Sequence, residues 1–215
     1  MNPCNYEIID SCRRNLTKNT VRAFEVLPKM RAPLILDAGG GTGESTLALL
    51  GRSDGFFHVA DTDAAALDRL RAKAEKLGVS GRISIIAASV FDDVLDEAAY
   101  DLVLAEGLLN EIGMKAGLPR LKELTRTGGY LIIHDEWKDD AAKRELLARR
   151  GLTLLASFEL DEKVWRDEYF QCLEDAIRSF GREDLFQDEL RYIRASREKP
   201  LENRSIIYIL QNRRR

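Results

Sequence analysis

One stretch constrains this chain more than any other: Leu34-Ile35-Leu36-Asp37-Ala38-Gly39-Gly40-Gly41-Thr42-Gly43-Glu44-Ser45-Thr46-Leu47. It reads as a strand, a glycine turn, and a short apolar helix opened by Ser45 and Thr46. Glycine alone takes up positive φ at little cost and lets a ligand come close to the backbone. Such a turn leaves backbone N–H groups pointing outward, with the positive end of a helix behind them. A nucleotide-like ligand suits that place.

Spacing separates the two families that use such a turn. The dinucleotide fingerprint G-x-G-x-x-G/A asks for a small sixth residue where helix and strand pack closely, and counted from Gly39 that residue is Glu44. Asp37 to Gly43 instead matches D-x-G-x-G-x-G, and on these residues the chain resembles the class I S-adenosylmethionine-dependent methyltransferases. The resemblance implies an α/β, Rossmann-like fold: a seven-stranded, mostly parallel sheet with the last strand antiparallel and helices on both faces. It also implies S-adenosylmethionine as cofactor, with Asp37, Gly39, Gly41 and Gly43 at its site. A plain strand-to-helix turn without a ligand is the alternative that the other motifs must displace.

A chain of 215 residues suits one domain. With hydrophobic residues at 45% and charged ones at 32%, it has the composition of a globular protein with a sizeable core. No apolar run approaches a membrane span, and the start, Met1 to Glu7, lacks the basic and apolar regions of a secretory signal, so a cytoplasmic location and no membrane partner are expected. Cys4, Cys12 and Cys172 form no C-x-x-C pair and have no histidine at metal-ligand spacing. They are expected to be reduced and structural, and no metal is expected. The net charge of −3 offers nothing to a phosphate backbone, which argues against a nucleic-acid partner. Arg213-Arg214-Arg215 reads as a solvated terminus. Whether the chain is a monomer or a homodimer is left open.

Residues 1–29 read as a helical cap, with Ile8, Ile9 and Cys12, then Val21, Phe24 and Leu27 at helical spacing and Pro28 as the stop. In small-molecule methyltransferases a helix here covers the cofactor and lines the substrate pocket, which makes Tyr6 a substrate-binding candidate; a helix packed on the sheet edge is the bland alternative. The core is read over residues 30–158. Its second strand, Phe56 to Asp61, ends in an acid, and a carboxylate at a strand end beside the glycine turn can accept from two ribose hydroxyls. Asp63 reads as the N-cap of a helix from Ala64 to Leu77, and His58 as a core histidine. After a third strand, Arg82 to Ala87, the resembled family has an acid for the adenine amino group where this chain has Ser89. Val90 would then pack on the adenine face, with Asp92 or Asp93 as substitutes for the acid.

The fourth strand, Asp101 to Ala105, ends in Glu106-Gly107-Leu108-Leu109-Asn110-Glu111. Ligands of open α/β sheets sit outside the carboxyl ends of strands near the switch in strand order, so this loop belongs to the reacting end. It lacks the Asn/Asp-Pro-Pro-aromatic tetrapeptide typical of enzymes that methylate amino groups of bases. Glu106 reads as a cofactor contact, a proton acceptor or a structural residue, and Asn110 as a substrate contact. The run Leu121 to Ile133, read as a helix with Pro119 near its first turn, a stop at Gly128-Gly129 and then strand five, looks like the corresponding part of methyltransferases of the ubiquinone and menaquinone biosynthesis type.

Strand five ends in His134-Asp135-Glu136-Trp137. His134 and Asp135 are candidate acid–base residues and Trp137 a candidate pocket wall, unless the strand turns them into the sheet. Residues 159–204 carry a helical stripe, Trp165, Tyr169, Leu173 and Ile177, and read as an inserted helical lid. Trp165, Tyr169 and Tyr192 are its substrate-binding candidates. Residues 205–215 form the final strand and tail. These readings lead to methyl transfer from S-adenosylmethionine to a small molecule. A cofactor-binding protein without activity and, less well matched, a nicotinamide-dependent dehydrogenase are the alternatives.

Overall fold

The structure is a computed structural model that describes residues 3–213, with side chains from Asn5 onward. The expectations for Met1, Arg214 and Arg215, and for the Cys4 side chain, lie outside the described residues. In chain order the elements are α1 Pro3–Arg13, α2 Thr17–Glu25, β1 Leu34–Ala38, α3 Glu44–Leu50, β2 Phe56–Asp61, α4 Ala64–Lys76, β3 Ile83–Ala87, β4 Tyr100–Glu106, α5 Leu108–Ile112, α6 Met114–Leu124, β5 Thr125–Glu136, α7 Asp140–Arg149 and β6 Leu152–Leu160. A short helix α8, Glu162–Val164, runs through a π-helical turn, Trp165–Phe170, into α9, Gln171–Phe180; α10, Gln187–Glu198, and β7, Ser205–Asn212, complete the chain.

All seven strands join one sheet in the order β3-β2-β1-β4-β5-β7-β6. The first five are parallel, and β7 runs antiparallel to both β5 and β6. The order reverses between β1 and β4, which is where an open sheet of this kind leaves a crevice at its carboxyl edge. Parallel strands covered on both faces must be apolar throughout, and Leu102, Val103, Leu104 and Ala105 are all buried.

Two-residue alternation sorts the side chains between the faces. On one face Ile35, Phe57, Val59, Leu102, Leu104, Ile132 and Ile207 pack with Ala23 of α2, Leu49 of α3 and Leu67 and Leu70 of α4. On the other, Leu36, Ala60, Val103, Leu131, Ile133 and Tyr208 pack with Leu118, Leu121 and Leu124 of α6 and Leu147 of α7. Carried to the strand ends, the alternation puts Asp37, Asp61, Glu106 and His134 on the first face and Asp135 on the second.

A third cluster joins Ile9 and Cys12 of α1 to Tyr169, Phe170, Leu173, Ile177, Phe186 and Ile193. The N-terminal helix and the inserted helices therefore share a small core of their own. Cys12 and Cys172 are disulfide-bonded across 160 residues, which corrects the expectation of reduced thiols for this pair. Sequence spacing could not show it, because the two helices meet only through the fold. Two boundaries are also corrected. Pro119 is interior to α6, which starts earlier, after Gly113 at φ 80°. That helix ends at Leu124 and not at Gly128-Gly129, since Thr125 already pairs with Tyr100 and the two glycines lie in an irregular stretch of β5. Buried Asn212 holds that stretch, donating to the Thr125 carbonyl at 2.8 Å.

Candidate functional site

A cavity of about 660 Å³ lies over the carboxyl ends of β1, β2, β4 and β5, a size ordinary for a small-ligand pocket. Its floor is the glycine turn. Gly39, Gly41 and Gly43 all have positive φ, and a Cβ added to Gly41 would meet only the Asp61 carboxylate, at 3.8 Å, in otherwise open space. At Gly43 the same atom would lie 2.3 Å from Leu70 Cδ1. Gly41 is thus glycine on the cavity side, and Gly43 because helix α4 packs against it.

Asp61 stands beside the turn, its Oδ2 accepting from Gly41 N at 2.8 Å and its Oδ1 from Asp63 N at 2.8 Å. A carboxylate has about four acceptor positions, so about two remain for a ligand. Asp63 caps α4, accepting from Ala65 N and Ala66 N, and also accepts from the Tyr6 hydroxyl at 2.5 Å. Burial, then Asp63, pushes the Tyr6 phenol up to about 12. Asp37 is buried beneath the turn and accepts from Thr46 Oγ1 at 2.6 Å. Burial pushes its carboxyl up to about 7, helped by the neighbouring Glu106 and Asp61 and opposed by the Thr46 bond.

Glu106, at the end of β4, takes hydrogen bonds from Thr20 Oγ1 and, at 2.9 Å, from Ser45 Oγ. It sits in register with His134 on the neighbouring strand. His134 Nε2 is 2.8 Å from Ser205 Oγ, which also accepts from Trp165 Nε1 at 2.9 Å. Burial lowers the His134 pKa, against the pull of Glu106 and Asp135. Tyr6, Tyr169 and Tyr192 form the aromatic wall with Trp165.

Helix α1 is fastened over this floor by buried charge. Lys73 Nζ lies 2.7 Å from Asp10 and 2.7 Å from Glu44, Thr42 donates to Asp10 at 2.5 Å, and Arg14 meets Glu44 at 3.0 Å.

Most of the expected residues come together here. Asp37, Gly39, Gly41, Asp61, Ser89, Val90, Glu106, Asn110, His134, Tyr6, Trp165 and Tyr169 line the cavity, and Gly43 supports its floor. Three expectations are modified. Asp135 reaches the lining, but its carboxylate pairs with Lys143 at 2.6 Å on the far face, as alternation requires. Trp137 does not line the cavity: it packs on the α6 and α7 side beneath the Arg204 guanidinium, 3.9 Å from the ring centre. The Ser89 hydroxyl accepts from Phe91 N at 3.2 Å, while Asp92, outside the lining, accepts from Ser89 N. His58 is half-buried, 3.0 Å from the Tyr100 hydroxyl, and lies outside the cavity lining. The sequence reading missed Thr20, Ser45, Lys73 and Ser205. Of these only Ser45 carried a local signal, its place in the glycine stretch.

Among known families, residues 35–129 match the model of a methyltransferase domain. No curated protein matches the chain. Solved structures do. An S-adenosylmethionine-dependent methyltransferase from Thiobacillus denitrificans, in complex with S-adenosyl-L-homocysteine, is 18% identical over 99% of each chain, with a TM-score of 0.72. A second from Geobacter sulfurreducens, with the same ligand, is 16% identical over 92% of this chain and 90% of that one, with a TM-score of 0.65. The [4+2]-cyclase SpnF is 13% identical over 92% of this chain and 81% of that one, with a TM-score of 0.78. A cyclase among them is a reminder that a fold hosts more than one reaction, so the reaction has to be argued from the site.

Proposed function

We infer that this chain, whose residues 35–129 match a methyltransferase domain, transfers a methyl group from S-adenosylmethionine to a small-molecule acceptor within the cavity. The observation that carries the reading is Asp61: a carboxylate held by Gly41 N, with acceptor positions left over beside a glycine whose missing side chain keeps the floor open. Those positions suit the two hydroxyls of a ribose. Among the described residues no group of three or more His, Cys, Asp or Glu side chains could hold a metal ion, and no helix is long and apolar enough to cross a membrane.

S-Adenosylmethionine, when bound, supplies a methyl group on a positively charged sulfur. The chain supplies position and electrostatics. Asp61 and Glu106 line one edge of the sheet and favour a cationic ligand. The Thr20 and Ser45 hydroxyls hold Glu106 in place, so its charge needs no reorganisation when the ligand arrives. Helix α1 and the inserted helices exclude water and hold two reactants at the approach distance that makes transfer effectively unimolecular. In this reading residues 1–29 and 159–204 are the cover of a single methyltransferase domain.

The test is binding. S-Adenosylmethionine or S-adenosylhomocysteine should stabilise the purified protein by about 2.7 kcal/mol at 100 times the dissociation constant, read by thermal melting. No shift with either, and a shift with NAD, overturns the reading. Asp61→Ala should weaken affinity roughly tenfold to several hundredfold by isothermal titration, as the loss of two charge-assisted bonds implies. Asp63→Ala should instead cost about 1 kcal/mol of stability through the lost cap. The reverse order would place the ribose on Asp63.

A further inference from the structure

We propose that Ser205 and Trp165 fix the His134 imidazole as the tautomer with its proton on Nδ1, so that His134 meets the substrate as a hydrogen-bond donor to an acceptor oxygen and not as a base. Hydrogen-bond accounting leads there. An indole N–H can only donate, so Ser205 Oγ accepts from Trp165 Nε1 at 2.9 Å. Ser205 is buried, and a buried hydroxyl hydrogen left without an acceptor costs free energy. The other polar atom bonded to Ser205 Oγ, among the described residues, is His134 Nε2 at 2.8 Å. The hydroxyl therefore donates to Nε2, which must carry a lone pair. The single proton of a neutral ring is then on Nδ1.

The sheet makes this geometry. In the β5–β7 ladder His134 faces Ile207 and Glu136 faces Ser205, so Ser205 is a diagonal neighbour of His134 on one face. Trp165, in the π-helical turn, lies over the imidazole with ring centres 6.0 Å apart and planes 33° apart. The charged groups that act on the ring are Glu106 on β4 and Asp135 next along β5; both favour the imidazolium, and burial, the larger influence, lowers the pKa of the imidazole. No described residue bonds Nδ1, and His134 lines the cavity. The substrate class that fits carries a carboxylate, carbonyl or hydroxyl oxygen beside its nucleophile. Ser205 and Trp165 are positioning residues: they act through His134.

This assignment rests on the methyl-transfer reading only for what fills the cavity, and nitrogen NMR of the imidazole tests it without a methyl acceptor. The chain has two histidines, so His58→Gln leaves the His134 signals alone. In that background at neutral pH, Nε2 should show the shift of an unprotonated nitrogen and Nδ1 that of a protonated one. Trp165→Phe frees the Ser205 hydroxyl and should move the population toward the Nε2–H form, as should Ser205→Ala. Ser205→Thr keeps a hydroxyl and should restore the original pattern. With S-adenosylhomocysteine bound, acetate added as a probe acceptor should move the Nδ1–H proton resonance downfield. An Nε2–H ring or an imidazolium in the starting protein overturns the proposal, as does a pattern indifferent to both Trp165→Phe and Ser205→Ala. An acetate titration without effect removes the donor role. Failure of S-adenosylhomocysteine to bind, with the tautomer as stated, counts against the methyl-transfer reading alone.

Discussion

Asp37 shows what burial does to a single residue. Its carboxyl titrates at about 7 in the folded chain, far above the ordinary value of 3.8. Between those values the unfolded chain loses this proton while the folded one keeps it, so stability falls as pH rises through that window and levels off above it. Asp37→Asn cannot ionise. The stability of the wild type relative to this variant should fall from pH 4 to pH 7, measured by urea denaturation, and a flat difference would mean that Asp37 is already ionised when buried. The two glycines divide in the same way. Gly41→Ala should cost about 1–2 kcal/mol of stability for its positive φ and bind S-adenosylhomocysteine at least roughly tenfold more weakly, since its Cβ points at Asp61. Gly43→Ala should lower the melting temperature first, because Leu70 must move. Asp61 was legible because its type, its strand end and its distance from the turn all pointed one way. Ser205 was not, since a serine opening a strand has no local signature and its partners lie 71 and 40 residues away.

At the scale of elements, hydrophobic period and turn residues placed strands β1 to β5 and β7, because those signals are local, but left the short helix α5 read as a loop and α6 with the wrong bounds. Residues 134–137 show the limit. The cluster reads as a polar group at the ligand-facing edge unless alternation turns its members into the sheet, and alternation sends His134 inward to the cavity and Asp135 to Lys143. The period was in the sequence; which parity faced the ligand was not. The fastening of α1 was equally hidden, being built from Asp10, Glu44 and Lys73 on three separate helices. Lys73→Met would leave two largely buried carboxylates without their shared cation, a loss of order 3 kcal/mol, softened by Arg14 on Glu44. Hydrogen exchange should show the loss as faster opening of α1 with the sheet unaffected, and uniform protection across α1 would refute the clamp.

Across the whole molecule, the reversed last strand followed from the family resemblance and not from any residue pattern, and the strand order was not read at all, since pairing of β7 between β5 and β6 joins segments far apart in the chain. The pairing of Cys12 with Cys172 followed from neither, since nothing local in the sequence brings the two together. In the chain-entropy picture a cross-link closing a loop of this length contributes on the order of 4–5 kcal/mol. Reduction with dithiothreitol should therefore lower the melting temperature by several degrees while the Cys12→Ser variant becomes indifferent to the reagent; equal melting with and without reductant would show that the two thiols are free. The bond has a kinetic consequence as well. It ties α1 to α9, and the two already share a core, so the cavity cannot be uncovered by one of them moving alone. Any opening of this cover therefore carries both together. Such a gate slows arrival and departure by the same factor and leaves the dissociation constant where it was, so stopped-flow exchange of S-adenosylhomocysteine should quicken in both directions on reduction, with no change in the affinity read at equilibrium.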